Sequence, residues 1–445
     1  MVLAERESFC AVKALNFFTL AVAGFAFTRP AQAETLQQRI DAAPPGATLT
    51  VPAGIHRGSI VINKPLTLLG VHAPTILGDG RGKVVHIAAE DVTVRGFRIA
   101  GSGLSLFDDD AAVFVTASRA TIADNHIEDS LHGVYLKKVN GCQVLNNRIR
   151  GKTTLPGETG SIEDGIGRSA ENCDLVANRR GNGIHQWNCE RNTIVGNEIS
   201  EARDGIYFSF TNHTRCADNT VHHTRYGLHY MYSNDNVFTG NVFSENAAGA
   251  AIMFSMRLVV RGNRFINNRG FRAYGLIFQS VDDSQIESNR IEHNAVGFSF
   301  NQCNRNRFVA NRVTQNYIGL RFGSNSDENG FATNVFARNL HPVEVMGDNG
   351  TNHWSLAGVG NHWDGAMPLD LDRDGIGDMP HRELDVFGVL RRDFPAIALL
   401  SESPAVKLLR FAHQRAALPG VNSIEDRAPL TAGFIARQPV AGLKP

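Results

Sequence analysis

The triplet Asn-x-apolar recurs at Asn125-His-Ile127, Asn147-Arg-Ile149, Asn197-Glu-Ile199, Asn219-Thr-Val221, Asn241-Val-Phe243, Asn263-Arg-Phe265, Asn289-Arg-Ile291 and Asn311-Arg-Val313, and most successive steps are 22 residues. A second marker, a Gly before a short apolar alternation, keeps the same beat at Gly183, Gly205, Gly227, Gly249, Gly275, Gly297 and Gly319. A fixed period of this length means stacked like units, since no single unit can bury its own apolar face. Within each unit apolar and polar residues alternate with the period of a strand, broken by Gly or Asn. Twenty-two residues are too few for a sandwich hairpin pair with its connections, but they suit one coil of a parallel β-helix, stacked on the next at about 4.8 Å. A leucine-rich repeat would need Leu at the regular positions, and this chain supplies Phe, Ile and Val.

Of the 36 Asn, 31 fall between Asn125 and Asn349, so the excess belongs to the repeat. They are expected at the coil corners, where Asn tolerates left-handed φ and can bond to the same corner of the coil above. Two slips interrupt the beat. The step from Asn263 to Asn289 is 26 residues, and the 50 residues from Gly133 to Gly183 read as two periods plus about six, with 151–170 of loop composition projecting from the body. First strands are expected at Gly58–Asn63, Leu66–Gly70 and Val92–Gly96. After about residue 350 the beat fails, residues 360–395 are rich in Asp, Gly and Pro, and Pro404–Ala412 reads as a helix with Ser403 as N-cap. The expected fold class is all-β, a parallel β-helix of about 22-residue coils with an irregular and helical C-terminal cap that covers the last open edge. Its right hand follows from the preference of parallel crossovers.

The N-terminus sets the compartment. Ala14–Phe27 is apolar, preceded by Lys13 and followed by Ala31-Gln32-Ala33, a signal-peptidase pattern. Fourteen residues fall short of the ~20 that span a bilayer. The organisation expected is a secretory signal over 1–33, a β-helix over 34–350 and a cap with tail over 351–445, in a periplasmic protein. The chain has 44 Lys+Arg against 44 Asp+Glu, which argues against a nucleic-acid partner. Five Cys remain after residue 33, with no CxxC spacing; one bridge, Cys142 with Cys173, is the pair to examine, and buried small hydrophobes are the alternative.

The repeat places side chains in columns. Positions one and three after each marker Gly are apolar and point inward, so positions two and four point outward. Coil by coil the outward pairs are His185 and Trp187, Tyr207 and Ser209, His229 and Met231, then Ala251 and Met253, with Met256 close by. Outward Met on adjacent coils is unexpected for a side chain that gains by burial. Thioether with imidazole suits copper, Cu(I) above all; adaptable packing under a loop or at an interface is the other reading.

Asp370-x-Asp372-x-Asp374-Gly375-x-Gly377-Asp378 resembles the first half of a calcium loop, although the twelfth position is His381 where a closing Glu would sit. Ca2+ or a solvated acidic turn fits equally. Parallel β-helices also carry outward carboxylates for acid/base work on acidic polysaccharides, and Asp108-Asp109-Asp110, Glu163-Asp164, Asp204 and Asp282-Asp283 are available. Beside Asp204, however, the outward positions are Tyr207 and His229, and the acidic pairs sit near turns.

At Arg179-Arg-Gly-Asn-Gly-Ile184, Arg203-Asp-Gly-Ile-Tyr207, Arg225-Tyr-Gly-Leu-His-Tyr-Met-Tyr-Ser233, Ala251-Ile-Met-Phe-Ser255 and Gly360-Asn-His-Trp-Asp-Gly365 the chain resembles the NosD family. The likeness runs from roughly residue 36 to 430 and includes Ser403-Pro-Ala405 and Ala428-Pro-Leu430. It implies a right-handed β-helix that is not an enzyme. Its expected task is denitrification, as an accessory protein for maturation of the copper-sulfide centre of nitrous-oxide reductase. The implied partners are an ABC transporter permease and its ATPase, a lipoprotein copper chaperone and the reductase, with membrane contact only through the permease. His229, Met231, Met253, Met256 and His185 then become the expected copper ligands. The alternatives are a polysaccharide lyase, hydrolase or epimerase, and a metal-free scaffold between transporter and reductase.

Overall fold

Asn241 is fully buried, and its side chain bonds in both directions along the stack. Its Oδ1 accepts from the backbone N–H of Asn219 at 3.0 Å and from Asn219 Nδ2 at 2.9 Å, while its own Nδ2 donates to Asn263 Oδ1 at 2.9 Å and to the Cys216 carbonyl at 2.9 Å. The same contact links Asn125, Asn147, Asn197, Asn219, Asn241, Asn263, Asn289, Asn311, Asn334 and Asn361, with Nδ2 to Oδ1 distances of 2.8–3.1 Å. A second ladder runs from Asn268 through Asn294 and Asn316 to Asn339 at another corner.

In the computed structural model, residues 34–152, 180–269, 273–346, 350–364, 366, 368–384, 400, 403–415 and 423–437 are described. From Leu36 onward they form one right-handed parallel β-solenoid of about twelve turns. Three parallel sheets of 12, 13 and 12 strands make its faces, each strand pairing with the equivalent strand of the next coil. The first strand is Thr48–Val51 and the last in the stack is His362–Trp363, which pairs with Val335–Ala337. Ile, Val and Phe fill the bore; Phe308 stacks on Phe331 at 4.6 Å and Phe331 on Trp354 at 4.3 Å.

Two expectations change. The ladder Asn do not take the left-handed conformation. That falls to the residue just before most of them, as at Asp124, Asn146, Asp218, Ser288 and Ala310, whose φ values are 53–57°. The division is physical: the turning residue faces solvent, and the one after it sends its amide inward. The 50-residue step also holds one coil, not two, because His132–Lys137 pairs directly with Ile184–Trp187 and Asn147 bonds directly to Asn197. Fifty less 22 leaves a 28-residue excursion, most of which, 153–179, lies outside the described residues. With it lie Glu163, Asp164 and Cys173, while Cys142, Cys189, Cys216 and Cys303 are buried free thiols. The marker glycines serve close approach: a Cβ on Gly227 would stand 2.5 Å from the Gly249 carbonyl oxygen.

Both ends are covered. Helix Leu36–Ala42 buries Leu36 and Ile40, and the Gln37 amide pairs with the Val61 N–H at 2.7 Å and its carbonyl at 3.1 Å, occupying a strand edge. At the other end Asp426, fully buried, continues the Asn ladder by accepting from Asn361 N–H at 2.7 Å and Trp363 Nε1 at 2.9 Å. The helix expected after Ser403 spans Pro404–Arg415, with Ser403 Oγ accepting from Val406 N–H at 3.4 Å.

Replacing Asn241 by Ala leaves buried donors and acceptors on both neighbouring coils unmatched. Urea unfolding should show a loss of about 2–4 kcal/mol, whereas Ala at the partly exposed corner residue Asn212 should cost less than half as much.

Candidate metal centre on the third face

The third face contains Ile60–Ile62, Val85–Ile87, Ala111–Val115, His132–Lys137, Ile184–Trp187, Asp204–Ser209, Tyr226–Met231, Ala248–Met256, Tyr274–Asp282, Val296–Asn301, Ile318–Phe322 and His341–Val345. Its register aligns His185, Tyr207, His229 and Ala251 in one outward column and Trp187, Ser209, Met231 and Met253 in the next. The alternating inward residues Ile206, Phe208, Leu228, Tyr230, Ala250 and Ile252 are fully buried.

His229 is oriented from behind. Its Nδ1 lies 2.8 Å from Asp204 Oδ2, and Asp204 is also gripped by Arg225, Nε to Oδ1 at 2.9 Å and Nη2 to Oδ2 at 2.8 Å. Burial pushes the Asp204 carboxyl up, but the hydrogen bonds from His229 and Arg225 outweigh it and hold its pKa below the ordinary value. An ionised carboxylate can only accept, so Nδ1 carries the proton and the lone pair of His229 falls on Nε2. A carboxylate behind a histidine in this way is how metal-binding imidazoles are commonly aimed. Tyr207 at 4.9 Å and Tyr226 at 5.0 Å pack edge-on against the ring.

Met231 and Met253 are direct neighbours across the coil, both half-buried. One imidazole nitrogen and two thioethers on one face form a donor set that fits Cu(I) and not hard cations. The other two expected ligands are not brought to it. His185 is two rungs from His229, roughly 9.6 Å away, with Tyr207 between; it stacks on Tyr135 at 4.2 Å, and its Nδ1 contacts Asn182 Nδ2 at 3.1 Å. Met256 lies beyond the left-handed residue Phe254, paired with Asp282 and exposed. Immediately after Ser209, Met231 and Met253 come Phe210, Tyr232 and Phe254, each at positive φ, each exposed, and stacked at 5.4 and 5.1 Å with planes 10° and 11° apart. The chain alone did not single out these rings, nor His132, Asn182, Arg203 and Arg225, although all recur at fixed offsets from the marker Gly.

The remaining carboxylates are mostly engaged. Asp283 makes a two-pronged pair with Arg305, Asp109 pairs with Lys137 at 2.6 Å, and Asp110 accepts from Ser105 N–H. In the cap, carboxylate oxygens of Asp370, Asp372 and Asp374 lie within 4.8 Å of one another. Asp378 stands outside that group and accepts from Leu371 N–H at 2.7 Å, while His381, at the closing position, is buried against Trp363 and bonds Glu383 at 3.2 Å.

Comparison with known proteins agrees with this geometry in fold and adds a family. A family model described as periplasmic copper-binding protein (NosD) matches residues 166–367, and one described as right handed beta helix region matches 82–224. A protein of Pseudomonas aeruginosa named probable ABC transporter binding protein NosD is 30% identical over 201 residues, 45% of this chain and 42% of its own length. One of the same name from Stutzerimonas stutzeri is 30% identical over 157 residues, 35% and 31%. The chain thus spans less than half the length of either. Among solved structures, the Streptococcus pneumoniae surface protein and adhesin PfbA aligns at 12% identity over 71% of this chain and 90% of its own, TM-score 0.46, and the periplasmic alginate epimerase AlgG at 12% over 73% and 83%, TM-score 0.44. Neither likeness bears on activity.

Burial lowers the His132 pKa to about 4, while its Nδ1 accepts the Asn182 backbone N–H at 2.9 Å. The unfolded ring takes a proton below pH 6.5 and the folded ring only near pH 4, so this contribution is complete above 6.5 and lost as pH falls through that window. The loss is on the order of 3 kcal/mol at its acid end. Urea midpoints across the window should fall in the wild type and flatten in His132→Asn.

Proposed function

We propose, from the match over residues 166–367 and the two NosD relatives, that this chain is a NosD-type protein that serves in the periplasm in maturation of the copper-sulfide centre of nitrous-oxide reductase. It binds or passes Cu(I) at His229, Met231 and Met253, and works with an ABC transporter ATPase and permease and with a lipoprotein copper chaperone. The observation that carries the reading is the Asp204 to His229 hydrogen bond, which leaves Nε2 as a lone-pair donor on the face shared with two adjacent thioethers. Copper enters as cargo. The chain's own residues supply a soft, half-buried seat, and the exposed Phe210, Tyr232 and Phe254 stack gives a partner an apolar rim beside it. Each of those rings sits at a left-handed corner residue, the conformation that recurs at the corners along the stack. No helix among the described residues is long and apolar enough to cross a membrane, and the cap from residue 351 onward is the part assigned to the permease.

The polysaccharide-enzyme reading is disfavoured by Asp204 itself. It is buried, held by Arg225 on both oxygens and by His229 on one, and its pKa lies below the ordinary value, so it is poorly placed to take a substrate proton. In the cap, Asp370, Asp372 and Asp374 are assigned to Ca2+, and the melting temperature should rise with Ca2+ over Mg2+ in the wild type but not in Asp372→Asn.

Titration with Cu(I) against a competing chelator tests the main site. Simultaneous His229→Ala, Met231→Ala and Met253→Ala should abolish tight binding, and Asp204→Asn should weaken it about 10–100-fold. Unchanged affinity in the triple variant would remove the site. A wild-type protein that binds no Cu(I) would leave the scaffold, and turnover of alginate or pectin would move the assignment to an enzyme.

A further inference from the structure

Arg203 makes no ion pair within 4.0 Å among the described residues, although the charge of Asp204 acts on it. The carboxylate next to it in the chain, Asp204, is engaged on both oxygens by Arg225 and on one by His229. Arg203 Nε is buried and has no hydrogen-bond partner. On the preceding coil Asn182 is 6% exposed; its backbone N–H is spent on His132 and its Nδ2 on His185, while its Oδ1 is buried and unmatched. The two coils are bonded here, Arg203 N–H to the Gly181 carbonyl and Gly183 N–H to the Asp204 carbonyl, both at 2.9 Å. Two orphaned groups of opposite polarity therefore sit on adjacent rungs of one face. Each costs about 1–3 kcal/mol if nothing satisfies it, and native structures seldom leave such groups unmatched without a reason.

The surroundings are buried and aromatic. His132 and His185 meet ring to ring at 5.1 Å, and burial, assisted by the Arg203 charge, lowers the pKa of both. Burial and the neighbouring Arg225 likewise lower that of Arg203, against the opposing pull of Asp204.

We propose that Arg203 and Asn182 form a binding site for a small anion that carries a hydroxyl group, its charged oxygens accepting from the Arg203 guanidinium and its hydroxyl donating to Asn182 Oδ1. Hydroxycarboxylates and hydrogen phosphate share this chemistry. The site lies apart from His229, Met231 and Met253 and does not depend on their role.

Calorimetry and thermal unfolding of the full chain, with sodium glycolate, acetate, phosphate and chloride at matched ionic strength, test it. Glycolate or phosphate should raise the melting temperature, acetate less, and chloride not at all; a response to phosphate alone identifies an inorganic oxyanion, and to glycolate alone a hydroxy acid. Arg203→Met should lower affinity at least about tenfold, Arg203→Lys should keep part of it, and Asn182→Ala should erase the preference for glycolate over acetate. Cu(I) affinity should be unchanged in Arg203→Met, which separates this site from the metal site. No stabilisation beyond chloride by any anion, or full retention of it in Arg203→Met, overturns the proposal.

Discussion

The amide-to-amide hydrogen bond between asparagines one coil apart is the constraint from which the remaining geometry follows. Each Asn in the long ladder satisfies a backbone N–H and a side-chain N–H of one neighbour while donating to the next, so a shift of one residue in any coil would strand several buried polar groups at once. Backbone pairing alone permits slippage wherever faces are alike, and the ladder removes that freedom. Once register is locked, residues 22 apart in sequence become neighbours at about 4.8 Å. Met231 and Met253 meet, and Asp204 reaches His229, because every coil is held to the same phase.

Strand period, coil length and the outward columns were therefore legible from the chain: they depend on a local alternation repeated at a constant interval. What was not legible depended on contacts outside the column. The 50-residue step near Gly133 could be divided as one coil or two by arithmetic, and only the Asn147 to Asn197 bond decides for one. Left-handed φ was assigned to the ladder Asn because Asn tolerates it, yet the buried amide requires a different backbone, and the preceding residue turns instead. His185 shares a column with His229, but two rungs separate them, and proximity in a pattern is not coordination distance. Asp204 was weighed as a lone carboxylate and dismissed, since nothing in its spacing reveals that Arg225 and His229 close around it.

The family assignment and the geometry bear on different levels. The matching family model is described as a periplasmic copper-binding protein, and the donor set on the third face is what the proposed copper site rests on. The same face also carries the Arg203 and Asn182 pair two coils deep in aromatic surroundings, so one side of the solenoid gathers its soft donors, its buried charges and its exposed rings, while its other corners are laced by Arg–carboxylate pairs such as Arg257 with Asp235 and Arg305 with Asp283.

A stack of identical pitch also has a length that comes in whole units. From His229 the column passes Ala251, Ile277, Ser299 and Arg321 to Glu344, five rungs or about 24 Å. The span between the thioether seat and the end of the solenoid that its cap closes is thus set by how many coils lie between them. Gain or loss of one whole coil would move the two ends by a single step and leave both chemically intact, so the body of this protein acts as a graduated ruler between its His229 and Met231 surface and its closing end.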